Sequence, residues 1–343
     1  MEASARIAWI TYAKAIGITL VVYAHMARGI AAAGIEMPRR FYELTDSIIY
    51  SFHMPLFFFL AGIFFFKSYE RRRNGLDFAL SKVDTIVYPY LIWSLLQGAL
   101  EAFFSKYTNG STSFSDVLSM LWAPRAQFWF LYALFLIFIL SAIVFAWVPK
   151  RGAWAVFGVS VALYVFQPLL PGGFAVDYIA TDFVFFMLGI IFEMHVSRMM
   201  FFSMKALAAL LTAAVAGQFL FHVTFGLTYL DHGFGSLAVS IVSVLLVANI
   251  SYFLSLRPNR ILLLIGSSSM AIFLMHIMAG SGTRVVLQEI LPDDSYVLHL
   301  VLDTAMGLAA PLLALFVFER LGIRYAFSAP VSRWLKSAAV MRA

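Results

Sequence analysis

The stretch FWFLYALFLIFILSAIVFAWV, residues 128–148, runs for twenty-one positions without a charged side chain. Wound as an α-helix it is about 31 Å long, close to the thickness of a bilayer's hydrocarbon layer. Its apolar residues are continuous and do not alternate with polar ones, so a helix suits it and a barrel strand does not. Arg125 stands before it and Lys150 and Arg151 after it, which bounds one membrane crossing.

Runs of the same character lie on both sides of it, at residues 8–30, 44–66, 86–104, 154–169, 178–194, 206–225, 236–256, 263–287 and 297–318. Together they predict an all-α polytopic membrane protein, about ten transmembrane helices in one bundle. Residues 1–343 are expected to form a single integral-membrane domain with no appended soluble domain. Composition agrees. Of the 343 residues, 62% are hydrophobic and 12% charged, against about 25% charged in a soluble domain, which excludes a water-soluble globule. The net charge of +6 is spread in short clusters between apolar runs, a poor footprint for nucleic acid. The absence of cysteine excludes disulfides, thiolate metal sites and a cysteine nucleophile.

The basic residues set the orientation. With the N-terminus cytoplasmic, the inner side holds Arg6, Lys67, Arg71, Arg72, Arg73, Lys82, Lys150, Arg151, Arg198, Lys205, Arg257, Arg260, Arg320, Arg324, Arg333, Lys336 and Arg342. That is 17 of the 24 Lys and Arg; the outer side holds Arg28, Arg39, Arg40, Lys106, Arg125 and Arg284. Both termini are therefore expected in the cytoplasm. No internal repeat of fixed period is visible, which counts against an inverted-repeat transporter.

A charge at mid-membrane is costly, about 2.5–3.5 kcal/mol on insertion scales, so ionisable residues inside spans face a cavity or a partner. Lys14 and His25 share the first span. Eleven residues bring a helix back to nearly the same face about 16 Å further along. One stripe thus offers a cation on the inner side and an imidazole on the outer side. A snorkelling lysine and a core histidine would account for each alone. His53 lies at comparable depth on the second, antiparallel span, two residues before Pro55, which is expected to kink that helix and free carbonyls that need other partners. His276 lies near the middle of the ninth span. Asp177, Asp182, Asp231, Glu289, Asp293, Asp294 and Asp303 fall at or just outside outer span ends, and His195, His222, His232 and His299 also lie at span ends. No metal motif, nucleophile elbow, P-loop or dinucleotide fingerprint is present.

The segment from Lys14 to His25, KAIGITLVVYAH, resembles the basic-X10-His signature of the membrane-bound acyltransferase-3 family. Further matches follow in order: Phe52-His53-Met54-Pro55 through Leu60-Ala61-Gly62, Tyr88-Pro89-Tyr90-Leu91-Ile92-Trp93, Phe128-Trp129-Phe130-Leu131, and the Gly266–His276 segment GSSSMAIFLMH. The likeness covers nearly the whole chain, and the branch it resembles most is that of fucose 4-O-acetyltransferase-like and exopolysaccharide O-acetyltransferases. One departure stands out: Thr11 occupies the position where many relatives carry Asp.

The resemblance implies transfer of an acyl group, usually acetyl, from cytoplasmic acyl-CoA (acetyl-CoA) to a hydroxyl of a glycan at the outer face. No metal is implied. The setting is a bacterial cytoplasmic (inner) membrane, with membrane lipids around the bundle. Lys14, helped by Arg71, Arg72, Arg73 and Lys82, would attract the donor. His25 would serve as general base or transient acyl carrier, and His53 and His276 would orient it or stabilise an oxyanion. The basic 67–82 loop reads equally as a positive-inside anchor on anionic lipid. Trp122 and Trp129 read either as sugar-stacking rings or as interfacial belt residues. Two rival readings remain: a transporter or flippase using Lys and His as a relay, and a relative that has lost activity with the acid at position 11.

Overall fold

The computed structural model describes residues 2–103, 118–196, 198–290 and 295–334. Lys106, Asp293, Asp294, Lys336 and Arg342 lie outside the described residues, as do the side chains of Arg6 and Arg198. The described residues are helical and contain no strand. Helix α1 spans Glu2–Ala32, α2 Arg39–Tyr50, α3 His53–Ile63, α4 Phe65–Tyr69, α5 Gly75–Lys82 and α6 Tyr88–Phe103. Then come α7 Trp129–Trp147, α8 Ala153–Val165, α9 Phe174–His195, α10 Arg198–Phe201, α11 Met204–Gln218 and α12 Phe234–Ser255. The chain closes with α13 Arg260–Ser267, α14 Ser269–Ile290 and α15 Tyr296–Arg320.

Among the described residues eight helices are long and apolar enough to cross a membrane. They cover every expected span except 86–104 and 154–169. Those two are present as α6 and α8, with 16 and 13 residues. Their contacts show that both still run between the two ends of the bundle. The far end of α6 meets the start of α7 through Gln97–Gln127 and Glu101–Arg125, while the far end of α7 returns to α4, where Tyr69 donates to the Ala142 carbonyl. Lys150 pairs with Glu70 at that same end. From there α8 reaches Ser236 through Tyr164 and Asp177 through Gln167. Thirteen α-helical residues rise only about 20 Å. The 3₁₀ turns at Lys150–Gly152 and Gln167–Leu169 add about 12 Å.

Proline shapes the second span as expected in kind, though not in place. The helix breaks at Ser51–Phe52, before Pro55, and restarts at His53. Pro55 has no N–H for the carbonyl four residues back, which is that of Ser51. Ser240 on α12 supplies the missing donor, its hydroxyl 2.6 Å from that oxygen. Before Pro89 the chain relaxes into a π turn, Val83–Val87, a wider coil that gives the proline ring room. Helix α1 lies at the centre, packed on α3, α12, α13, α14 and α15; Ala13, Ala15, Ile18, Val21 and Val22 are fully buried.

Candidate active site

Lys14 opens onto a cavity of about 280 Å³ between α1, α3, α7 and α14. Ile18, Met54, Phe57, Ala61, Phe138 and Phe273 are among its walls, and Lys14 and Ser269 are its polar side chains. The cavity thus begins beside an ammonium and continues through apolar wall. Lys82 stands just behind it. Its ammonium lies 3.8 Å from the centre of the Phe138 ring and 3.3 Å from the Ser68 hydroxyl. Burial, with a smaller contribution from Arg72, depresses the Lys82 ammonium to about 8. Arg71, Arg72 and Arg73 are exposed on the turn that follows α4 and do not line the cavity.

The three histidines meet beyond the Phe130–Phe273 end of the cavity, none of them lining it. The rings of His25 and His276 are 5.0 Å apart, edge to face. His53 joins them through Tyr50, whose ring is 4.5 Å from His53 and 6.5 Å from His25. Glycines permit this approach, since a side chain at Gly307 on α15 would lie 2.7 Å from Val22, and one at Gly280 on α14 would strike Met26. Phe273 and Phe130, with rings 5.5 Å apart, close the cavity below His276. Phe273 is 6.2 Å from that imidazole.

Hydrogen bonding fixes the tautomers. His25 Nδ1 is 2.9 Å from the Val21 carbonyl, His53 Nδ1 2.8 Å from that of Ile49, and His276 Nδ1 2.8 Å from that of Phe273. A carbonyl only accepts, so each Nδ1 carries the hydrogen and each neutral ring presents Nε2 as a lone pair. His53 and His276 are completely buried, and among the described residues their Nε2 atoms have no partner. In this state all three are acceptors. His53 and His276 suit orienting a hydroxyl, and they would stabilise an oxyanion only after gaining a proton. Among the described residues no group of three or more His, Cys, Asp or Glu is arranged to hold a metal.

Two acids differ from their expected places. Asp182 and Asp303 are not at helix ends but are buried within α9 and α15, at 6% and 0% exposure, because those helices begin several residues before them. Asp303 faces Arg284 at 4.0 Å and His299 at 3.9 Å, and Arg284 lies against Gly29, one turn beyond His25. The residues that sequence reasoning missed are Tyr50 and this Arg284–Asp303 pair. Arg284 carried a signal as a lone cation in an apolar run; Tyr50 carried none. Thr11 packs on Gly266 of α13 and does not line the cavity.

A family model described as an acyltransferase domain, acyltransferase-3, matches residues 7–319. No curated protein and no solved structure matches the chain. The matched span takes in Lys14, the cavity and all three histidines, and covers nearly the whole chain: the chain belongs to the acyltransferase-3 family of membrane acyltransferases.

Proposed function

We propose that the protein O-acetylates an exported or surface glycan, in the manner of the fucose 4-O-acetyltransferase-like and exopolysaccharide branch, using cytoplasmic acetyl-CoA in a bacterial inner membrane. The observation that carries this reading is a largely apolar cavity that opens beside Lys14 and ends at Phe273, one ring short of His276, whose Nε2, like that of His53, has no partner among the described residues. Lys14 and Lys82 draw the anionic donor to the cavity mouth, and Arg71, Arg72 and Arg73 raise the local positive potential outside it. Apart from Lys14 and Ser269 the cavity wall is apolar and offers a carboxylate no partner, which favours acetyl over succinyl.

In the reaction the glycan hydroxyl oxygen attacks the thioester carbonyl carbon while His25 Nε2 takes the hydroxyl proton. The C–S bond breaks, CoA leaves as thiolate, and the proton held by His25 neutralises it. The products are the ester and free CoA. With the three rings neutral, the single proton taken from the hydroxyl makes His25 cationic as negative charge develops on the carbonyl oxygen.

Calorimetry on the full chain in nanodiscs tests the donor half without an acceptor. Acetyl-CoA is expected to bind wild type and His25→Ala, and to bind Lys14→Ala about tenfold more weakly, as for loss of one charge-assisted contact. No binding to folded wild-type protein would overturn the acyl-CoA reading and favour the transporter or the inactive relative.

A further inference from the structure

Above the imidazoles, at the end of the bundle away from Lys14, four side chains from three separate segments are tied together. Arg28 follows His25 by three residues on α1. Its Nε and Nη2 donate to the two oxygens of Asp46 at 2.7 and 2.8 Å. Nη2 also donates to the Tyr229 hydroxyl at 2.9 Å. The guanidinium lies 3.4 Å from the centre of the Tyr50 ring, and Tyr229 lies 5.2 Å from Tyr50. The chain around Tyr229 is itself fixed. Its own N–H donates to the Ser47 hydroxyl at 2.9 Å, and Asp231 accepts from the Thr228 N–H at 2.7 Å.

This rim keeps hydrogen-bonding capacity that the protein does not use. Among the described residues Arg28 Nη1 has no acceptor, and the Tyr50 hydroxyl has no partner. The Tyr229 oxygen accepts from Arg28, yet among the described residues its own hydrogen goes to no acceptor. Each Asp46 oxygen accepts from Arg28 and retains a further lone pair. The pair is reachable, with Arg28 35% and Asp46 13% exposed. Adjacent donors and acceptors on planar side chains, beside phenol rings, match the vicinal hydroxyls of a sugar. The bidentate pairing matters for selectivity. Arg28 is neutralised by Asp46, so the rim has no surplus cation with which to recruit an acidic sugar.

Resting on the glycan O-acetylation reading, we infer that Arg28, Asp46, Tyr50 and Tyr229 form the acceptor subsite. They take a neutral sugar and hold a hydroxyl vicinal to the one facing His25. Asp46 and Tyr229 are specificity determinants; the proton-accepting nitrogen remains that of His25.

The full chain in proteoliposomes, supplied with labelled acetyl-CoA on the Lys14 side, tests this. A neutral hexose oligosaccharide and a uronic-acid oligosaccharide of equal length are offered on the other side. Wild type is expected to acetylate the neutral sugar preferentially. Tyr229→Phe and Asp46→Asn should each raise the KM for that sugar about three- to tenfold, as for one lost hydrogen bond, with the KM for acetyl-CoA unchanged. Asp46→Asn should also shift preference toward the uronic acid, because Arg28 is then unneutralised. Tyr229→Phe keeps the ring and guards against mere misfolding. Transfer to sugars with an acceptor KM that neither variant moves, or a wild-type preference for the uronic acid, overturns the subsite and leaves O-acetylation standing. Transfer to no sugar, by protein that still binds acetyl-CoA, overturns the glycan reading and the subsite with it.

Discussion

His25 differs from its two companions in one respect that decides its role. His53 and His276 are sealed, whereas His25 keeps part of its surface and sits between His276 and Tyr50. A base must reach its substrate's proton. His25→Gln is therefore expected to lower transfer about 10²- to 10⁴-fold, the usual worth of a positioned general base, with acetyl-CoA binding intact by calorimetry. Transfer at the wild-type rate would remove His25 from the chemistry. Lys82 gives a pH prediction with a definite sign. Its ammonium titrates near 8, so the cation is present below that pH and lost above it. Acetyl-CoA affinity should fall between about pH 7 and 9, and Lys82→Arg should flatten that fall, since guanidinium stays charged throughout. An equally steep fall in Lys82→Arg would assign the titration elsewhere. At this scale the sequence shows Lys14, His25, His53 and His276 because a polar group in an apolar run is conspicuous. Tyr50 and Asp46 are not conspicuous, as their meaning arises only when α1, α2 and the chain near Tyr229 come together.

Helices reveal which local rules were legible and which needed a partner. Pro55 announces a break in its helix, but the partner for the Ser51 carbonyl is Ser240, 189 residues away, and nothing local points to it. The glycine contacts are similar. Gly280 and Gly307 are ordinary residues in the sequence and become close-approach points only where α1, α14 and α15 meet. The same three helices bury Arg284 opposite Asp303, with side chains 7% and 0% exposed. Their separation of 4.0 Å is too long for a direct hydrogen bond, so the pair holds the helices in register more than it stabilises them. Arg284→Met alone leaves a buried carboxylate unpaired and should cost about 3–5 kcal/mol, and Asp303→Leu alone a similar amount. The double variant should recover most of that stability in chemical denaturation while transfer stays low, because the His25–His276 spacing is no longer held. Recovery of both stability and rate would reduce the pair to packing.

For the whole molecule, hydropathy and charge in the sequence predict ten crossings, whereas among the described residues eight helices are both long and apolar enough to cross. The difference lies in α6 and α8, whose described lengths are 16 and 13 residues but which the Glu70–Lys150, Tyr164–Ser236 and Gln97–Gln127 contacts carry from end to end. The two counts leave the termini on the same side, since both are even, so terminal tags would not separate them. The loop between α7 and α8 does separate them. If α6 crosses, Arg151 shares the side of Arg73; if it does not, Arg151 lies opposite. The chain has no cysteine, so one introduced thiol is the only target for a membrane-impermeant maleimide. Arg73→Cys, Arg151→Cys and Glu36→Cys all fall at exposed or partly exposed positions where α1, α3 and α14 are not disturbed. The expected pattern is labelling of positions 73 and 151 from the cytoplasmic face only, and of position 36 from the outer face only. Position 151 labelled with position 36 would mean that α6 turns back within the bilayer. Positions 73 and 151 both labelled from outside would invert the bundle, placing Lys14 on the side with no acyl-CoA, and the cavity beside Lys14 would then have no donor supply.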